Sequence, residues 1–149
     1  MMEEKIIPII KNFNSNYNKF KKYIENEFPI SGLELIKLFQ LIEFFSSVKK
    51  IGDCIDIYDD SMIKTLLPQI NETKEMIEYI ENRSIKFFEN FPIDNFKKYN
   101  IDTGIKTGMK WRNIEKLQDS SKEKINIIFD YFQEFLKLYK LYHIILTKK

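Results

Sequence analysis

The stretch from Leu33 to Val48 is apolar on almost every side. Leu33, Leu35, Ile36, Leu38, Phe39, Leu41, Ile42, Phe44, Phe45 and Val48 surround a narrow polar stripe of Glu34, Lys37, Gln40, Glu43 and Ser47. A helix of that kind has no wide solvent face, so it belongs at the centre of a helical assembly. It is too short, and too often interrupted by charge, to span a bilayer. Its start is well marked, because Ser31-Gly32-Leu33-Glu34 has the form of a capping box, with Ile30 and Leu35 placed as the hydrophobic staple. Lys49, Lys50 and Gly52 read as a cationic last turn and a stop, which sets the central helix at about residues 32–50.

Helical spacing continues on both sides of it. Ile10, Phe13, Tyr17, Phe20 and Ile24 recur at alternating threes and fours, with Asn12, Asn16, Lys19, Lys22 and Asn26 on the other face. Pro8 suits a first turn, and Pro29 ends the run. A helix from about Ser61 should break near Leu67, ahead of Pro68. Another is expected from about Glu72 to Phe91, burying Met76, Ile77, Ile80, Phe87, Phe88 and Phe91, and stopped by Pro92. After a loop over 93–107, a short helix from Met109 to Gln118 presents Trp111, Ile114 and Leu117. A second capping box, Ser120-Ser121-Lys122-Glu123, opens the longest helix, to about Leu146. There Ile125, Ile128, Phe132, Phe135, Tyr139 and Tyr142 keep the spacing, and Phe129, Leu136 and Leu138 widen the stripe. Residues 53–60 form an acidic connector, a short strand or a turn. The expectation is an all-α fold, one domain over residues 1–149, as a compact bundle of five to six helices around the central one.

Composition enters as a correction to tempting signals. The chain has no alanine, 25 isoleucines, 12 asparagines, and 22 lysines against two arginines. Phe, Tyr, Met, Ile, Asn and Lys fill 85 of its 149 positions, and all six are read from codons poor in G and C. An AT-rich genome (a virus or phage, a protozoan, a low-GC bacterium) accounts for this. Lysine richness therefore says less about nucleic acid, and asparagine richness less about disorder, than they would elsewhere. The net charge of +2 does not imply a polyanionic partner, although residues 51–75 balance at −4 and residues 101–149 at +4. A lone cysteine, Cys54, makes no internal disulfide and fits a reducing compartment. Together with a start that lacks a signal peptide, this points to the cytoplasm, that of the host if the source is a virus.

Catalytic and metal constellations are hard to assemble. His143 and Cys54 are each single, so zinc spacing does not arise, and the metal expectation is none. Asp53, Asp56, Asp59 and Asp60 lack the order of a helix-loop-helix calcium site; the simpler reading has Asp59 or Asp60 capping the next helix. Gly104-Ile105-Lys106-Thr107-Gly108 lacks the spacing of a phosphate loop, and no cofactor is expected. The segment with most to offer a ligand is 106–124. It sets Lys106, Lys110, Arg112 and Lys116 around Trp111, the only tryptophan, and codon bias works against both Trp and Arg. Trp111 and Arg112 could anchor a protein interface, or stack on a base beside a phosphate-binding helix start. The plainer reading makes Trp111 a core residue and the lysines a solvated face.

These features favour a non-enzymatic intracellular module that binds another protein as an inhibitor, adaptor or accessory subunit of a virus, mobile element or parasite. The alternative is a nucleic-acid-binding accessory protein using residues 106–124. Membrane association is not expected, and a C2 homodimer through the stripe of the longest helix is a subsidiary expectation.

Overall fold

The first turn of the chain and its best-packed helix face are joined without a break. In the computed structural model, which describes residues 2–28, 31–70, 74–84, 86–89 and 121–147, α1 runs over Met2–Glu27. It is followed by α2 (Ser31–Phe45), a hairpin of β1 (Lys50–Ile51) and β2 (Cys54–Ile55), α3 (Ser61–Ile70), α4 (Lys74–Glu81), α5 (Lys86–Glu89) and α6 (Ser121–Thr147). The fold class is all-α, with the two-stranded hairpin as the only sheet among the described residues. The expected short helix over 109–118 and the loop over 93–107 lie outside the described residues.

The closest packing is between α1 and α6. All five expected core positions of α1, Ile10, Phe13, Tyr17, Phe20 and Ile24, are buried, and so are Ile125, Ile128, Phe132, Phe135 and Tyr142 of α6. Phe20 is the hub, with its ring centroid 5.7 Å from Phe39, 5.3 Å from Tyr131, 5.4 Å from Phe132 and 5.8 Å from Phe135. Aromatic rings in edge-on and tilted contacts at such distances add attraction beyond the area they bury. Helix α3 adds Met62, Ile63, Leu66 and Leu67 to the same core, and α4 adds Met76 and Ile80. The α6 stripe is thus spent within the chain, while Ile127, Leu141 and Ile144 of that helix stay exposed.

Two helices end without a glycine to mark the stop. In α2 the amide of Val48 donates to Glu43 O at 3.0 Å and that of Ser47 to Phe44 O at 3.1 Å, with Ser47 at φ +55°. In α4 the amide of Ser84 donates to Tyr79 O at 2.8 Å and that of Arg83 to Ile80 O at 3.3 Å, with Arg83 at φ +51°. Both are Schellman terminations with a left-handed residue other than glycine at C′. The first ends α2 at Phe45, short of residue 50, and Gly52 serves the hairpin instead. The second divides the helix expected over 72–91 into α4 and α5. Arg83 gains compensating contacts: its guanidinium donates to Asn126 O at 2.9 Å and Gln133 Oε1 at 3.0 Å, and pairs with Asp130, all on α6.

Two of the four prolines expected at helix ends, Pro8 and Pro68, lie inside helices; Pro29 and Pro92 are outside the described residues. Pro8 falls in the second turn of α1, and Pro68 is exposed within the last turn of α3, which runs on to Ile70. Each removes one backbone hydrogen bond, a loss most easily tolerated near a helix end.

The hairpin pairs Lys50 with Ile55 and Ile51 with Cys54 around a two-residue loop, Gly52-Asp53. Gly52 holds φ +65° at the first loop position, where a II′ turn calls for glycine. The inner edge of the hairpin is paired by a side chain: Asn18 of α1 accepts from Ile55 N at 3.0 Å and donates to Ile55 O at 3.1 Å. One turn earlier, Asn14 donates from Nδ2 to the carbonyls of Asp56 (3.0 Å), Ile57 (3.1 Å) and Asp59 (2.6 Å). The acidic connector is therefore clamped to α1. Its own carboxylates complete the loop, because Asp59 accepts from Lys49 N at 2.9 Å and Ser61 N at 2.7 Å, and Asp60 pairs with Lys64 at 2.7 Å. These hydrogen bonds outweigh the effect of burial and hold the Asp59 carboxyl below its ordinary pKa.

Replacing Asn14 by Leu removes the side-chain donor shared by three part-buried carbonyls, of which that of Asp56 keeps the amide of Asp59. The expected cost is about 1–3 kcal/mol of stability, read by urea denaturation, with faster alkylation of Cys54 as the loop loosens.

Candidate functional site

Beside its apolar stripe, α1 carries a second stripe of polar residues, Asn14, Asn18, Lys21 and Glu25, at the same alternation of fours and threes. Asn14 and Asn18 hold the connector and hairpin. Lys21 faces α2, where the site is centred on a buried carboxylate.

Glu43 lies in the last turn of α2 and is 1% exposed. Its Oε2 accepts from Tyr17 Oη at 2.6 Å and from Lys21 Nζ at 2.7 Å, while Lys50 Nζ stands 2.6 Å from Oε1. One carboxylate thus joins α1, α2 and β1. Burial is the largest single influence on its pKa and favours the neutral acid. The hydrogen bonds from Lys21, Lys50 and Tyr17 together outweigh it and hold the carboxyl below its ordinary value, so Glu43 is ionised. Burial, then the neighbouring Glu43 charge, drives the Tyr17 phenol well above its usual pKa, and it remains a neutral donor. Lys21 also stands 5.3 Å from the centroid of the Tyr17 ring.

Two recesses open around this cluster. One, of about 360 Å³, lies between α1, α2 and the hairpin and is lined by Lys21, Lys22, Glu25, Ile36, Gln40, Lys50, Asp53 and Cys54 among others. The other, of about 590 Å³, lies at the end of α2 and is lined by Gln40, Glu43, Phe44, Ser47, Val48 and Lys50. Gln40 and Lys50 border both. A further depression of about 470 Å³ between α4 and α6 is spanned by the Lys140–Glu81 ion pair (2.9 Å) and, among the described residues, has no buried polar residue in its lining.

The same end of the molecule exposes apolar side chains. Phe44 is 76% exposed, with its ring centroid 5.4 Å from that of Phe45, which is 56% exposed; Ile51 on the hairpin is 70% exposed. This reverses the sequence reading at three residues, while Phe39 and Ile42 are buried and Gln40 is exposed as expected. Glu43, placed on a polar stripe, is buried, and Phe44 and Phe45, placed on the apolar side, face solvent. The cause is the Schellman stop at Ser47: it turns the chain back, so that Lys50 and the α1 face, Tyr17 and Lys21, close over Glu43.

Lys106, Lys110, Trp111, Arg112 and Lys116, the residues singled out by sequence, lie outside the described residues. Of the same basic segment, Lys124 pairs with Glu27 at 3.2 Å and lies 5.8 Å from the centroid of Phe28. His143 is exposed with its ring centroid 4.4 Å from that of Tyr139, and Cys54 lines the smaller recess. Among the described residues no group of three or more His, Cys, Asp or Glu is placed to hold a metal ion, and no helix is long and apolar enough to cross a membrane. The polar stripe of α1 was available in the sequence as spacing; which carboxylate it would meet was not.

Comparison with protein-family models, curated proteins and solved structures finds no match to this chain.

Proposed function

We propose that the protein is a non-enzymatic module that binds another protein through the surface formed by the end of α2 and the hairpin. The observation that carries this reading is the exposure of Phe44 and Ile51 in a chain whose other phenylalanines on the described helices are largely core residues. Phe44 ends α2 beside Phe45, and Ile51 lies on the hairpin strand that follows; exposed aromatic side chains are the anchors that account for much of the binding energy at protein interfaces. Lys49 and Lys50 beside them supply a polar rim. The underlying scaffold is fixed by Glu43 and by the hairpin clamp, so little ordering is needed on binding.

The test is a parallel capture from the native cell of the tagged protein and of a Phe44→Ser/Ile51→Ser variant, with and without nuclease. Each anchor is expected to contribute about 2 kcal/mol, so a nuclease-resistant protein partner should be depleted far more than tenfold by the double change. Both residues are exposed, so the variant should keep the wild-type unfolding midpoint. Equal recovery of the same proteins by both forms would defeat the proposal, as would partners that all disappear with nuclease.

A further inference from the structure

We infer that the recess between α1, α2 and the hairpin is a binding site for a small oxyanion, the carboxylate or phosphate group of a metabolite-sized molecule. The inference does not rest on the interaction surface proposed above, although Lys50 borders both. It rests on how two ammonium groups share one carboxylate. Lys21 Nζ spends one donor on Glu43 Oε2, and Lys50 Nζ approaches Oε1. The Lys21 side chain is only 11% exposed, yet an ammonium carries three N–H donors. With Tyr17 neutral, the cluster of two ammoniums and one carboxylate retains a charge of about +1, on a nearly buried Lys21 and a Lys50 that is 37% exposed, and a counter-ion held at the buried end is worth more than one at an open surface. Both lysines line the recess, and Lys22 adds a third ammonium to its wall. An oxyanion placed there would accept the spare donors of Lys21 and Lys50 and balance the cluster.

The remaining lining limits what can bind. Counted with Glu43, the carboxylates of Glu25 and Asp53 offset the three ammoniums over the whole lining, which argues against a nucleic-acid backbone and for one small anionic group seated on the donors of Lys21 and Lys50. A volume of about 360 Å³ is at the small end of ligand sites, and Ile36 offers one apolar wall.

The test titrates the whole protein with acetate and with inorganic phosphate at constant ionic strength, following backbone amide signals by NMR. An oligothymidylate serves as the polyanion control. Saturable shifts confined to residues 18–25, 40 and 50–54 are expected, with whichever anion binds more tightly identifying the ligand as a carboxylate or a phosphate. Lys50→Gln should weaken binding about tenfold, the loss of one charge-assisted hydrogen bond. Lys22→Gln, at an exposed position with no part in the Glu43 cluster, should weaken it measurably without altering the fold. Shifts that rise without saturation, or that fall equally on remote lysines such as Lys11 and Lys137, would overturn the inference. So would unchanged affinity in both variants, or equal competition by the oligothymidylate.

Discussion

Glu43→Ala is expected to cost about 3–5 kcal/mol of folding stability at neutral pH, the toll of stranding a buried charge whose partner has been removed. The change leaves Lys21 nearly buried without its carboxylate and Tyr17 without its acceptor. Lys21→Met combined with Glu43→Leu should recover most of the loss, since a buried ion pair replaced by apolar groups of similar volume is often neutral or better. The acid dependence has a definite sign. The Glu43 carboxyl titrates below its ordinary value in the folded state, so its contribution is fully present above the unfolded pKa of about 4.3 and is lost as pH falls through the lower folded value. Urea denaturation from pH 7 to pH 3 should therefore show wild type and Glu43→Gln converging only at the acid end. Asp59 is depressed in the same direction and contributes its own acid loss to both proteins, which leaves the difference between them specific to Glu43. A gap between them that stays constant down to pH 3 would show that Glu43 is not held ionised.

Phe20→Ala should be comparably severe, about 3–5 kcal/mol, the usual range for truncating a buried aromatic. This ring is fully buried and touches Phe39 on α2 and Tyr131, Phe132 and Phe135 on α6, so the cavity would open where three helices meet. Ile127→Ala on the outer side of α6 is the matched control and should stay within about 0.5 kcal/mol. Thermal and chemical unfolding of the two variants against wild type measures both. Similar losses at the two positions would mean that the helices do not pack on these faces.

The contrast between those positions was legible in the sequence. The three-and-four spacing of Ile10, Phe13, Tyr17, Phe20 and Ile24, and that of Ile125, Ile128, Phe132 and Phe135, identified faces that the structure buries. Period alone suffices where a helix has one apolar side. It failed at the end of α2, where nearly every side is apolar and the period carries no direction. There the chain turn at Ser47 decides which side chains face inward, and a serine in left-handed conformation leaves no composition signal. Arg83 was opaque for the same reason: its conformation is explained by contacts with Asn126, Asp130 and Gln133, more than forty residues further along the chain. The Glu43 cluster brings together positions 17, 21, 43 and 50. Tyr17 reads as a core aromatic, Glu43 as part of a polar stripe and Lys50 as part of a cationic last turn, and only tertiary packing joins them with Lys21 as a unit.

The pairing of α1 with α6 also sets a timetable. Residues 28 to 120 separate the two helices, and at a synthesis rate of roughly 5–20 residues per second the earlier one waits about 5–20 s for its partner. Throughout that interval Phe13, Tyr17 and Phe20 have no α6 to cover them. The nascent chain is thus committed to finishing late, and whatever shields that aromatic face at the ribosome, a chaperone or transient contacts with α2 and α3, governs how much of the protein the cell obtains.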